Sequence, residues 1–159
     1  MNYSTNHTMS NTRRRHATPR VTLATLFTLT LLTCAMPALA EIAIIANPGS
    51  GASSLDAKTA KKLFLGKTKA IPGMNTVTLI GQIDESPTKA EFTKVVAKKS
   101  IGKYKAYWSK MIFSGKAIPP KELANDAEVK AYVASHADAV GYVNSNAVDS
   151  TVKVLLSVP

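Results

Sequence analysis

The chain has 159 residues, one cysteine, and 20 basic against 10 acidic residues. Cys34 alone cannot form an intramolecular disulfide or a thiolate-rich metal centre, so neither can hold this protein together. All four arginines stand within the first twenty residues, and every later Lys/Arg position is lysine. Without arginine's bidentate fork, the chain is not expected to take nucleic acid as a partner.

The first forty residues contain no Asp or Glu and carry Arg13, Arg14, Arg15 and Arg20. An apolar run follows from Val21 to Ala35, and Ala38-Leu39-Ala40 closes it. A basic stretch, a short apolar stretch and a small-residue site predict a signal peptide over residues 1–40, cleaved after Ala40, and a periplasmic protein. The run is too short for a comfortable membrane span. A lipoprotein would use Cys34, but Thr33 fits that processing site poorly. Arg13-Arg14 lacks the following residues of a twin-arginine signal. Residues 41–159 remain as one domain, with 16 lysines against 10 acids and a net charge of +6. These lysines read as a solvated basic surface, with long-range attraction for anions or anionic envelope surfaces as the second reading.

Glu41 to Ala46 reads as a buried strand ended by Asn47-Pro48-Gly49. Ser53 or Ser54 is placed to cap a helix running through Leu65. Leu55, Leu63 and Phe64 lie on its apolar side, with Gly66 as the C′ residue. Pro72-Gly73 makes a turn, and Val77 to Ile80 forms the next strand. After it comes Gln82-Ile83-Asp84-Glu85-Ser86-Pro87-Thr88. Ser86 suits a helix N-cap and Pro87 the first helical position, while Phe92, Val95 and Val96 recur at helical spacing. A helix start presents unpartnered N–H groups and the positive end of the dipole, so two hydroxyls and a carboxylate there form an oxyanion-binding corner. The same residues also serve as an ordinary capped helix on a surface turn.

Tyr104, Tyr107, Trp108, Met111 and Ile112 share one face of a helix from Tyr104 to Phe113, which predicts core packing rather than a ligand platform. Ser114-Gly115 ends that helix, and Pro119-Pro120 blocks an immediate restart. Asn125 caps a further helix, with Glu128 in the capping-box position and Val129, Tyr132 and Val133 inward. Ala139 to Val143 is a strand whose Gly141 implies close backbone approach. A short segment around Ala147 leads to a last strand, Val152 to Leu156. Strands alternating with helices predict an α/β domain, a mixed sheet of about four strands covered by helices.

Little catalytic chemistry is present. Of His7, His16 and His136, only the last survives processing. No HExxH, thiolate cluster, P-loop or dinucleotide fingerprint occurs, so neither metal nor cofactor is expected. Asp84 and Glu85 are sequence neighbours whose side chains diverge, a poor acid/base pair. Enzyme is therefore the weaker class.

Taken together, these motifs resemble the phosphate-binding proteins of periplasmic phosphate ABC transporters, in particular their short single-lobe relatives. The opening strand with Asn47-Pro48-Gly49 resembles the start of that family's second lobe. Leu63-Phe64-Leu65-Gly66-Lys67 resembles its IF-x-GK helix end, and Ala139-Val140-Gly141-Tyr142-Val143 its GAIGYV strand. The family's R-x-D-x-S-G-T motif falls on Gln82, Asp84, Ser86, Pro87 and Thr88. The resemblance implies one lobe of the type 2 periplasmic binding protein fold. It also implies a weak oxyanion (phosphate) site at Gln82, Asp84, Ser86 and Thr88. Asp84 would accept the proton of a protonated anion, and Ser86 and Thr88 would donate hydroxyl hydrogen bonds. The function implied is that of an exported substrate-binding-like protein of the phosphate-transporter type, with a membrane transporter or a sensor protein as partner; the alternative is a periplasmic sensor or adaptor module that binds a protein partner and has lost ligand capture. Two departures weaken the motif. Gln82 stands for the family's arginine, and Pro87, which has no N–H, for its glycine.

Overall fold

The computed structural model describes residues 41–159, so the signal-peptide reading lies outside the described residues. Strand β1 (Ile42–Ala46) is buried at all five positions. Its β-branched Ile42, Ile44 and Ile45 suit a pleat covered on both sides. Ile42 and Ile44 face one apolar cluster, Ala43 and Ile45 the other. Around it lies a five-stranded sheet in the order β3-β2-β4-β1-β5. The partners are β2 (Thr78–Gln82), β3 (Lys121–Leu123), β4 (Ala139–Asn144) and β5 (Lys153–Val158). Strand β2 runs parallel to both β3 and β4, while β1 runs antiparallel to β4 and β5. The sheet is mixed, as expected, with one strand more.

The extra strand is β3. Three residues after Pro119-Pro120 show no alternation, and two of them are exposed, so nothing in their pattern announced a strand. Pairing with β2 at Gly81↔Glu122 supplies the order instead. Strands β2 and β5 also lie slightly further along the chain than their apolar runs suggested.

Four helices cover the sheet. Helix α1 (Ala57–Phe64) starts at Asp56, whose carboxylate accepts hydrogen bonds from the Lys58 and Thr59 N–H groups at 2.9 and 3.0 Å. Ser53 and Ser54 therefore do not cap it. Leu55 N–H instead donates to Leu155 O of β5 at 3.0 Å, a tertiary bond that draws the preceding loop along the sheet edge. Gly66 closes the helix at φ +65°, as its position implied. Helix α2 (Pro87–Val95) begins at its Ser86 cap. Helix α3 (Ile101–Phe113) begins almost one turn earlier than expected because Ser100 caps it. In helix α4 (Asp126–Ser135) the capping carbonyl of Asn125 accepts from Glu128 N–H at 3.0 Å. The Glu128 carboxylate reaches one residue beyond the cap, to Ala124 N–H at 3.0 Å. None of these helices is long and apolar enough to cross a membrane.

Two clusters flank the sheet. One joins Leu63, Phe64, Phe92, Tyr104, Trp108 and Tyr142, and the other Ile80, Val129, Val133 and Val143. Tyr104 and Trp108 are buried as their spacing implied, but Ile112 at the end of that stripe is 52% exposed. Helix α4 lies tightly against β4. A Cβ on Gly141 would sit 2.8 Å from Val129 Cγ1 and 3.3 Å from Val133 Cγ2. Gly141→Ala should therefore force α4 outward and cost about 1–3 kcal/mol, read as a lower denaturant midpoint at unchanged slope.

Candidate functional site

The corner at the end of β2 is built by three elements. Ser86 N–H donates to Ile83 O at 3.1 Å, closing the turn before α2, and Ile83 N–H donates to Leu123 O at 3.0 Å, tying that turn to β3. Gln82 is fully buried. Its backbone N–H donates to Tyr142 Oη at 3.1 Å, and its side-chain amide donates to Tyr142 O at 3.2 Å. Tyr142 is held in turn by a parallel stack on Phe92 with centroids 3.7 Å apart. Ser86 Oγ donates to Gln82 Oε1 at 2.5 Å and accepts from Lys89 N–H at 3.4 Å.

Asp126, the first residue of α4, lies at the centre of this network. Its Oδ1 accepts from Gln82 Nε2 at 2.6 Å and from Asn144 N–H at 3.3 Å, and its Oδ2 accepts from Thr88 Oγ1 at 3.3 Å. Donors from β2, the first turn of α2 and the end of β4 thus converge on one carboxylate belonging to the chain itself. A carboxylate at a helix start is also favoured by the dipole. The structure brings Gln82, Ser86 and Thr88 together around Asp126.

Asp84 lies in another charge cluster. It forms ion pairs with Lys89 at 2.8 Å and with Lys105 of α3 at 2.6 Å. Lys89, whose side chain is only 4% exposed, also pairs with Glu122 of β3 at 2.5 Å. Short strand β3 is what carries Glu122 to this place. The hydrogen bonds from Lys105 and then Lys89 hold the Asp84 carboxyl below its usual range. A depressed carboxylate pKa contributes stability above the unfolded value, about 3.9, and loses it as pH falls through the folded one. The stability difference between wild type and Asp84→Asn should therefore stay flat across neutral pH and shrink only below about pH 4, as denaturant melts at several pH values can show.

Two shallow clefts flank Gln82. On the α4 side a cleft of about 340 Å³ is lined by Gln82, Ser86 and Thr88 together with the carboxylates of Glu85 and Asp126, and no lysine lines it. On the α3 side a cleft of about 330 Å³ holds Asp84, Lys89, Lys105 and Glu122 beneath Tyr104 and Trp108. The residues that sequence reasoning missed are Asp126, Tyr142, Lys89 and Glu122. Asp126 was hidden beside Asn125, where an acidic residue is explained by the helix start alone. Among the described residues no group of three His, Cys, Asp or Glu is placed to hold a metal. His136, exposed, stacks on Tyr132 at 3.9 Å.

A mixed sheet with helices on both faces and a helix-start corner at a strand end makes the described residues an α/β lobe. Its fold matches an ABC-type phosphate transport receptor from Vibrio cholerae, with 16% identity, a TM-score of 0.56, and 73% of this chain and 46% of that one covered. A second match is a protein from Clostridium perfringens described as a phosphate ABC transporter substrate-binding protein and solved with bound phosphate. There the identity is 18%, the TM-score 0.56, and the coverage 73% of this chain and 45% of that one. A third is PstS from Borrelia burgdorferi, at 11% identity and a TM-score of 0.53, covering 73% of this chain and 47% of that one. The chain therefore spans about half the length of these proteins, and at such identities the likeness establishes the fold. No protein-family model and no curated protein matches the sequence.

Proposed function

We propose that this chain is an exported, single-lobe relative of the phosphate-binding proteins that does not capture phosphate and acts as a sensor or adaptor module read by a protein partner in the envelope. The observation that carries the reading is the Asp126 carboxylate, already holding Gln82 Nε2, Thr88 Oγ1 and Asn144 N–H. An incoming anion would have to displace it or lie beside it. Two like charges about 4 Å apart near a protein surface repel by about 4 kcal/mol. That equals the whole binding energy of a ligand with a dissociation constant of about 1 mM. Gln82 offers no compensating charge, whereas a bidentate arginine would add a charge-assisted contact of about 1.5–3 kcal/mol.

Ligand linkage tests this. A ligand at one hundred times its dissociation constant stabilises the folded state by about 2.7 kcal/mol. Phosphate at about 10 mM should leave the melting temperature where chloride of equal ionic strength leaves it; a specific rise marks a phosphate site with a constant near or below about 0.1 mM. The exported form should begin at Glu41. Intact mass of the protein from a periplasmic extract checks this, and a mass retaining earlier residues, or acylation at Cys34, contradicts it.

A further inference from the structure

Between Glu91 and Glu122 the chain carries eight lysines and no acidic residue. This stretch contains α3 and the turn leading to β3. Ion pairing brings acids to only two of those lysines, Asp84 to Lys105 and Glu91 to Lys94; none pairs with Lys103, Lys110 or Lys116 among the described residues. At the end of α3, Phe113 is 95% exposed, and Ile118 in the following turn is 83% exposed. Together with Ile112 they are three of the four large exposed hydrophobic residues described. Single exposed apolar side chains are ordinary, but three within one stretch from Ile112 to Ile118, amid lysines without ion-pair partners, are not.

We propose that this end of α3 and its following turn dock on an anionic phospholipid surface. Phe113 and Ile118 would enter the headgroup boundary, and Lys110 and Lys116 would meet lipid phosphates. Apolar side chains flanked by lysines, with no acid between, form the pattern of an interfacial membrane contact. Three features favour lipid over an acidic protein. At such exposure Phe113 and Ile118 stand clear of the surface; a bilayer boundary accepts any projecting apolar group, whereas a protein needs matching pockets. Lysine is depleted at the cores of protein interfaces, where arginine is enriched. Lysine's long stem also lets its charge rise to the headgroups while its methylenes stay among apolar atoms. One turn with a few lysines gives reversible attachment that needs both signals. The inference rests on α3 and its following turn and makes no use of Asp126, so it does not depend on the proposed function.

Co-sedimentation with vesicles tests it. Residues 41–159 lie within one compact unit holding both apolar clusters, so this domain can be used without the apolar leader. It should partition at least about tenfold better onto phosphatidylglycerol-containing vesicles than onto pure phosphatidylcholine, and rising salt should weaken it. Phe113→Ser with Ile118→Ser, and separately Lys110→Gln with Lys116→Gln, should each reduce that partition about tenfold with melting unchanged. Equal binding to both vesicle types, no binding, or binding indifferent to Phe113 and Ile118 overturns the proposal. So does capture of an envelope protein through these same side chains without vesicle binding.

Discussion

Trp108→Ala should cost the domain about 3–5 kcal/mol, the range for removing a large aromatic residue from a site that cannot collapse. Trp108 is 6% exposed and meets Tyr104 and Tyr107 edge to face, with centroids 6.5 and 5.9 Å away. The end of α1 presses on it: a Cβ on Gly66 would lie 3.0 Å from the indole. Neither neighbour can move inward cheaply. Tyr107 Oη donates to Leu65 O at 2.6 Å, and Tyr104 Oη donates to Phe64 O at 3.2 Å. Against a total stability of about 5–15 kcal/mol, such a loss should lower the melting temperature by roughly 15 °C. As the only tryptophan, it should also give blue-shifted emission in the native state. Phe113→Ala on the same helix should change stability by no more than about 0.5 kcal/mol. Emission like that of free indole, with unchanged melting after Trp108→Ala, would contradict the packing described here.

The second large effect concerns a gain of binding. Installing the arginine and glycine of the phosphate-binding proteins' motif with Gln82→Arg and Pro87→Gly should fail to produce a phosphate site while Asp126 remains. The new guanidinium would sit where Gln82 Nε2 now donates to Asp126 Oδ1 at 2.6 Å, and a carboxylate is its natural bidentate partner. Adding Asp126→Asn removes the internal anion and frees the arginine. In calorimetric titrations the triple variant should then bind phosphate at least about tenfold more tightly than the double variant, since each 1.4 kcal/mol is a factor of ten. The melting curve of each variant separates loss of binding from loss of folding. Equal affinities in the double and triple variants would remove Asp126 from the account.

The fold was legible where one local signal dominated. Ile42 to Ala46 read as a doubly buried strand because every residue is apolar, and Ser86-Pro87 read as a helix start because cap and ring chemistry agree. Gly141 announced the close approach of α4. What escaped depends on contacts distant in sequence. Strand β3 is ordered by β2 some forty residues earlier, and the loop before α1 by Leu155 at the far end of the chain. The candidate site divides in the same way. Ser86 and Thr88 were readable from the helix start and Gln82 only through the resemblance, but Asp126 reaches Thr88 from 38 positions away and Gln82 from 44. Asp84 is held by Lys89 and Lys105, which are ordinary surface lysines in the sequence until α2 and α3 fold together.

The most direct test of the closed corner is an amide-resolved NMR titration of the wild-type domain with phosphate. Asn144 N–H is held by Asp126, and Thr88 and Lys89 stand at the start of α2. If the internal carboxylate closes the site, these three resonances should stay with the bulk of the spectrum up to about 10 mM phosphate, well past the point where a ligand bound with about 4.1 kcal/mol would half-fill its site. Saturable shifts confined to Thr88, Lys89 and Asn144, at micromolar phosphate, would show that Asp126 yields to the anion and that the corner captures it.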